Sequence, residues 1–168
     1  MPRILPFLSA LLLLLLGACS TPKRYEYKYT PGKTATLQGL HATPPKSAPE
    51  IVQQAIQAGN EIAGSPYRYG GGHAIDGSHG YDCSGSASHV LRSCGLLHSP
   101  ITSRDFRRYG KSGPGRWISI WARNGHVFMV IAGLRFDTGN TGHPEGIRWT
   151  TKSCRSLKGF EVRHPPGL

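Results

Sequence analysis

A glycine-dense stretch that runs straight into a cysteine sets the terms for the rest of this chain. Tyr67-Arg68-Tyr69-Gly70-Gly71-Gly72 leads, after a polar loop, to Gly80-Tyr81-Asp82-Cys83-Ser84-Gly85. Beyond the cysteine, Ala87, Val90, Leu91 and Cys94 fall at i+4, i+7, i+8 and i+11, one face of an α-helix that Gly95 ends. Cys83 therefore belongs at the first turn of a helix whose apolar face enters the core. Unpaired N–H groups and the positive end of the helix dipole favour an anion there, the setting of a reactive thiolate. Three successive glycines also suggest a phosphate cradle, but no Gly-Lys-Ser/Thr follows and no parallel-sheet pattern surrounds them. A backbone that must approach the cysteine closely accounts for them better.

A nucleophile of this kind needs a base, and the second half of the chain offers one. From Trp117 the pattern changes to period two, and Asn124-Gly125 marks a tight hairpin turn. His126 to Ile131 is the return strand, Ala132-Gly133 turns again, and Leu134 to Asp137 forms a third strand. Trp149 to Thr151 and Phe160 to Arg163 read as further short strands. Helices first and antiparallel strands second predict an α+β architecture, with the helices packed on a small antiparallel sheet. His126 opens its strand just after a turn, so its ring can point from the sheet end toward Cys83. An imidazole that serves a thiolate needs an acceptor on its other nitrogen. Asp137 lies on the neighbouring strand and is the first choice for that third member; Thr138 and Asn140 are rivals.

The N-terminus is read separately from the fold. Met1 to Ala18 carries one basic residue, Arg3, and an apolar run from Leu11 to Leu16 before Leu16-Gly17-Ala18-Cys19. The run is too short to span a bilayer, which takes about 20 apolar residues, and reads as an export signal. Leu-Gly-Ala-Cys resembles a bacterial lipoprotein box, which implies acylation at Cys19, the mature N-terminus, and a membrane partner through the lipid. Ser20 rather than Asp follows, so the outer membrane facing the periplasm is the expected address. Residues 19–46, polar, basic and rich in Thr and Pro, read as a flexible tether, and 47–168 as one folded domain.

The net charge of +11 points to an anionic partner. Nucleic acid is excluded for an exported lipoprotein, which leaves anionic lipid, lipopolysaccharide or the carboxylate-bearing wall, with a merely soluble basic surface as the other reading. With Cys19 assigned to lipid, Cys83, Cys94 and Cys154 remain. A Cys94–Cys154 disulfide would leave Cys83 as the thiol; a reduced Cys94 on the apolar helix face is the other reading. Ser47-Ala48-Pro49-Glu50 matches a capping box for a helix carrying Val52, Ala55, Ile56 and Ile62. Thr102 to Tyr109 reads as a short helix with Phe106 and Tyr109 turned inward. His73 and His79 read as loop residues, and neither a metal nor another cofactor is expected.

Pro66-Tyr67-Arg68-Tyr69-Gly70-Gly71, Asp82-Cys83-Ser84-Gly85 and Gly125-His126-Val127 together resemble the NlpC-type bacterial cell-wall cysteine peptidases. The resemblance covers about Ser47 to Asp137. It implies a papain-like α+β fold and a monomeric enzyme whose partner is peptidoglycan. The bonds implied are γ-D-glutamyl-diaminopimelate or the D-Ala cross-link. By position, Cys83 resembles the nucleophile and His126 the base, Tyr67 the tyrosine beside them, and Asp82 and Ser84 residues that help to hold substrate. The chain departs from the family where a second histidine is usual, offering Asp137 or Thr138 there. Its loop from Gly72 to Gly80 is long and adds His73, Asp76 and His79. An amidase or transferase on the same fold, or an inert wall-binding lipoprotein, are the other expectations.

Overall fold

A computed structural model describes residues 24–73, 79–139, 146–152 and 156–168. The export segment, Cys19, Asp76, Asn140 and Cys154 lie outside them. Among the described residues no helix is long and apolar enough to cross a membrane.

Two helices form the first layer. The stripe of Val52, Ala55, Ile56 and Ile62 buries one side of α1 (Glu50–Ile62), and Gly64 at φ 91° turns the chain out of it. Helix α2 (Cys83–Ser93) is capped by Asp82, whose carboxylate accepts from Gly85 N–H, and buries Ala87, Val90 and Leu91. A single turn, α3 (Ser103–Phe106), carries a full capping box between Thr102 and Asp105. Phe106 is wholly buried, and Tyr109 donates its hydroxyl to Leu96 O at 2.8 Å.

Preceding the helices is a small hairpin, β1 (Thr36–Gln38) and β2 (His41–Thr43). Following them are β3 (Lys111–Ser112), β4 (Ile118–Arg123), β5 (His126–Ile131), β6 (Leu134–Asp137), β7 (Arg148–Thr150) and β8 (Glu161–His164). They form one antiparallel sheet in the order β3-β8-β4-β5-β6-β7. Two-residue turns fix its centre: Arg123 pairs with His126 across Asn124-Gly125, and Ile131 pairs with Leu134 across Ala132-Gly133. Both Ala132 and Gly133 have positive φ, 46° and 76°, as a tight hairpin turn requires.

The pleat sorts side chains onto two faces. Ile118, Ile120, Ala122, Val127, Met129, Ile131, Leu134 and Phe136 belong to one core cluster with the buried faces of α1 and α2. The alternate positions include His126 and Phe128 on β5 and Arg135 and Asp137 on β6, which place a charged group opposite the main core. Gly59 lets the indole of Trp149 lie against α1, since a Cβ there would stand 2.4 Å from Cζ2.

Three expectations change, and of the two readings of Cys94 the reduced one holds. Residues 24–46 are packed on the domain. Ala35 and Ala42 are fully buried, Ala35 N–H donates to Ala132 O at 2.8 Å, and Asn60 bonds both the N–H and the C=O of Ala42 at 2.9 Å. Tyr25 is buried as well and donates to Gly133 O at 2.8 Å. The order is thus hairpin, helices, sheet, rather than helices first. Ser47 does not cap α1: Pro49 is the N-cap, without a side-chain bond, and the Ser47 hydroxyl instead donates to Gly32 O. Cys94 is a free thiol that donates to Val90 O at 3.1 Å.

Candidate active site

Asp82 assembles the floor of the site. One oxygen, Oδ1, accepts from Gly85 N–H at 2.7 Å and from the Ser84 hydroxyl at 2.9 Å; the other accepts from Gly70 N–H at 3.0 Å. One carboxylate therefore caps α2 and ties the glycine loop to it. The loop can come so close only because the facing residues lack side chains. A Cβ on Gly85 would lie 1.9 Å from Gly71 O, and one on Gly72 would lie 2.9 Å from Gly85 Cα. Asp82 N–H in turn donates to Gly71 O at 3.1 Å. His73 closes the cluster, its Nε2 lying 3.1 Å from Ser84 Oγ and 3.3 Å from Asp82 Oδ1. Both Asp82 and Ser84 are buried, with their polar atoms turned to this loop.

Cys83, partly exposed, begins α2. Tyr67, half-exposed, stands near it. Partial burial, then the neighbouring Cys83 and Asp82 side chains, raise the phenol above its ordinary range. Across from them, His126 is buried between the two ends of the site. The Cys83 side chain is near enough to strengthen the ring's hold on its proton, and the ring Nε2 lies 3.0 Å from Asp137 Oδ1. The ring N–H is not aimed along that line, so the contact is a close charge pair more than an aligned hydrogen bond. Burial favours neutral imidazole, but Asp137 and Cys83 outweigh it and push the histidine up to about 9. Aromatic rings hold it in place: Phe160 meets it edge-on at 6.1 Å and Phe128 lies 6.5 Å away.

Asp137 closes β6. Burial works against its charge, yet His126 and Arg135 hold it below the usual carboxylate range. Oδ1 also accepts from Thr138 N–H at 2.8 Å. Of the residues weighed as the orienting acceptor, Asp137 meets His126 and Thr138 lends its amide to the same carboxylate, while Asn140 is outside the described residues.

Sequence reasoning missed Arg135, the largest fully buried side chain. Its Nε and Nη2 donate to Asp137 Oδ2 at 3.1 and 2.5 Å, and its Cζ lies 3.9 Å from the centre of the Phe128 ring. The signal was present in Leu134-Arg135-Phe136-Asp137, since residues two apart on a strand share a face. What that alternation omits is burial, which comes from Phe128 and from Tyr25 at the far end of the chain. Phe160 was read only as a strand residue. Among the described residues no cluster of three or more His, Cys, Asp or Glu is arranged to hold a metal.

In chemical terms the arrangement is a thiol at a helix start, an imidazole that is cationic at neutral pH, and a buried carboxylate behind it. That is the equipment for nucleophilic attack on an acyl carbon. No protein-family model and no curated protein matches the chain. Among solved structures it is similar to a variant of the Resuscitation Promoting Factor Interacting protein RipA, with a TM-score of 0.51 and 21% identity. The match covers 68% of this chain, which spans 62% of the length of that one. At this identity the likeness is one of architecture, and it supports an NlpC/P60-like fold.

Proposed function

We propose that this chain is a cysteine endopeptidase of peptidoglycan that cuts amide bonds in stem peptides or their cross-links, with Cys83 as nucleophile, His126 as base and acid, and Asp137 as the orienting group. The observation that carries this reading is the grouping of Cys83 at the start of α2, the buried His126 whose proton it helps to hold, and Asp137 3.0 Å from the ring. With its proton taken by His126, the Cys83 sulfur is the nucleophile. Attack on the scissile carbonyl forms a C–S bond and an oxyanion. The Cys83 N–H at the start of α2, which has no intrahelical partner, offers a donor to that oxyanion. His126 then gives its proton to the leaving amine as the C–N bond breaks. A water, deprotonated by His126, hydrolyses the thioester and restores the thiolate–imidazolium pair.

Tyr67 at the rim suits substrate contact, whereas Asp82 and Ser84 act through the loop they hold. The charge of +11 suits a wall rich in carboxylates. The Leu-Gly-Ala-Cys box suits a lipid anchor at Cys19 in the cell envelope, on the outer membrane facing the periplasm. The test is digestion of purified peptidoglycan and defined muropeptides, read by mass spectrometry beside Cys83→Ala. Fragments that depend on Cys83 and whose masses place the new amine and carboxyl ends within stem peptides or cross-links establish the peptidase and identify the bond. Cuts at an amide outside the peptides indicate an amidase, a carbonyl passed to an acceptor other than water indicates a transferase, and no fragments from any substrate overturn the reading.

A further inference from the structure

The carboxylate of Asp137 is divided between two cationic partners. Oδ1 faces His126 Nε2 at 3.0 Å and takes the Thr138 amide, while Oδ2 belongs to Arg135 through Nε and Nη2. Arg135 touches neither Cys83 nor solvent. Its guanidinium is sealed between the Phe128 ring at 3.9 Å and the Tyr25 ring at 5.9 Å. Its backbone N–H donates to the Tyr25 hydroxyl at 3.2 Å, so the β6 strand is gripped on both main chain and side chain. Taking a guanidinium so far out of water is costly unless its charge is answered, and the Asp137 carboxylate answers it here.

We propose that Arg135 is a positioning residue of the Cys83 site: it cancels the charge of Asp137 and fixes Oδ2, so that Oδ1 orients His126 without trapping its proton. This rests on the assignment of Cys83 and His126 as a working pair. With Arg135 in place, the buried group is neutral whether the proton sits on His126 or on Cys83, because Arg135 and Asp137 balance each other. Without Arg135, the imidazolium would face an unbalanced carboxylate and give up its proton less readily to a leaving amine. The remaining charged residues in register with these groups are Arg123, opposite His126 on β4, and Arg148, opposite Asp137 on β7. Arg123 is committed to the Phe160 ring, 4.9 Å from its centre.

The experiment is the pH profile of Cys83 alkylation by iodoacetate, an anionic reagent whose rate falls when His126 loses its charge. It needs no substrate. Wild type, Arg135→Met, Arg135→Lys, Asp137→Asn and the double variant Arg135→Met/Asp137→Asn would be compared, with circular dichroism to check folding. The upper limb of the profile is expected to move to higher pH in Arg135→Met and to lower pH in Asp137→Asn, with Arg135→Lys close to wild type. The double variant should follow Asp137→Asn, since Arg135 acts through Asp137. On peptidoglycan fragments, Arg135→Met should lower kcat at least tenfold with KM little changed. A folded Arg135→Met with the wild-type alkylation profile would overturn the proposal. Failure of every Arg135 variant to fold would also overturn it, by making Arg135 a requirement of the sheet. Shifted profiles in a protein that cleaves no wall substrate would keep the positioning role and sink the peptidase reading instead.

Discussion

Asp82 and Gly70, twelve positions apart, are joined by a 3.0 Å hydrogen bond from the glycine N–H to the aspartate side chain that also caps the Cys83 helix. The residue just before Cys83 thus sets both where its helix starts and where the glycine loop lies. Replacing it with alanine removes an N-cap, worth about 1–2 kcal/mol, and also frees the loop. Asp82→Ala is expected to lower the melting temperature and to reduce kcat/KM more than stability alone explains. Asp82→Asn, which keeps an acceptor for Gly85 N–H, should recover most of the stability. Thermal unfolding and muropeptide kinetics on the two variants check this.

Gly85 is the point where loop and helix touch. Because a Cβ would fall 1.9 Å from Gly71 O, a backbone atom that cannot swing aside, Gly85→Ala must displace the loop. The usual gain of about 1 kcal/mol for alanine over glycine in a helix is then overwhelmed. Activity should fall at least a hundredfold while the Cys83 thiol remains titratable by Ellman's reagent in unfolded protein.

A parallel case lies far from the site. Gly59→Ala on α1 would press on the Trp149 indole at 2.4 Å, and overpacking of that kind costs about 1–3 kcal/mol. Denaturant titration should show a destabilised protein, whereas kcat near neutral pH should be unchanged.

Stability should also depend on pH through His126. Its folded value of about 9 exceeds the ordinary 6.5, so its contribution is complete below pH 6.5 and is lost as pH rises through 9. The size is on the order of 3 kcal/mol, since each tenfold gain in proton affinity on folding is worth about 1.4 kcal/mol. Urea titrations at pH 6 and pH 9.5 should differ by an amount of that order in wild type and by much less in His126→Gln. Equal differences in both proteins would refute the assignment.

Much of this site was legible because it depends on local patterns. The helix after Cys83 follows from apolar spacing and a terminal glycine, and the strands carrying His126 and Asp137 follow from two turn dipeptides and alternation between them. Those patterns set the register, and the register brings Asp137 diagonally beside His126. What was hidden depends on partners distant in sequence. Tyr25, Ala35 and Ala42 sit in a polar, proline-rich stretch, and nothing nearby reveals that Gly133, Ala132 and Asn60 will cover them. Ser47 had the right spacing for a cap, but Gly32 O, fifteen residues back, competes for its hydroxyl. A buried arginine is hidden for the same reason, since its burial comes from two aromatic rings contributed by other segments.

Tyr25→Phe offers a direct check on one of those distant contacts. The hydroxyl bridges Gly133 O and Arg135 N–H, so its loss leaves two backbone groups unanswered and should cost about 1–3 kcal/mol. Faster proteolysis within residues 24–46 should accompany it.

The docking of Tyr25 also limits reach. If Cys19 bears the proposed lipid, the five residues from Ser20 to Arg24 are all that lie between the anchor and a tyrosine fixed to the sheet. At no more than about 3.6 Å per residue, the span between Cys19 and Tyr25 cannot exceed roughly 22 Å. Such a protein is on a short leash. It patrols a thin slab beside its own membrane, and strands of wall outside that slab escape it until they are drawn inward or the leash is lengthened.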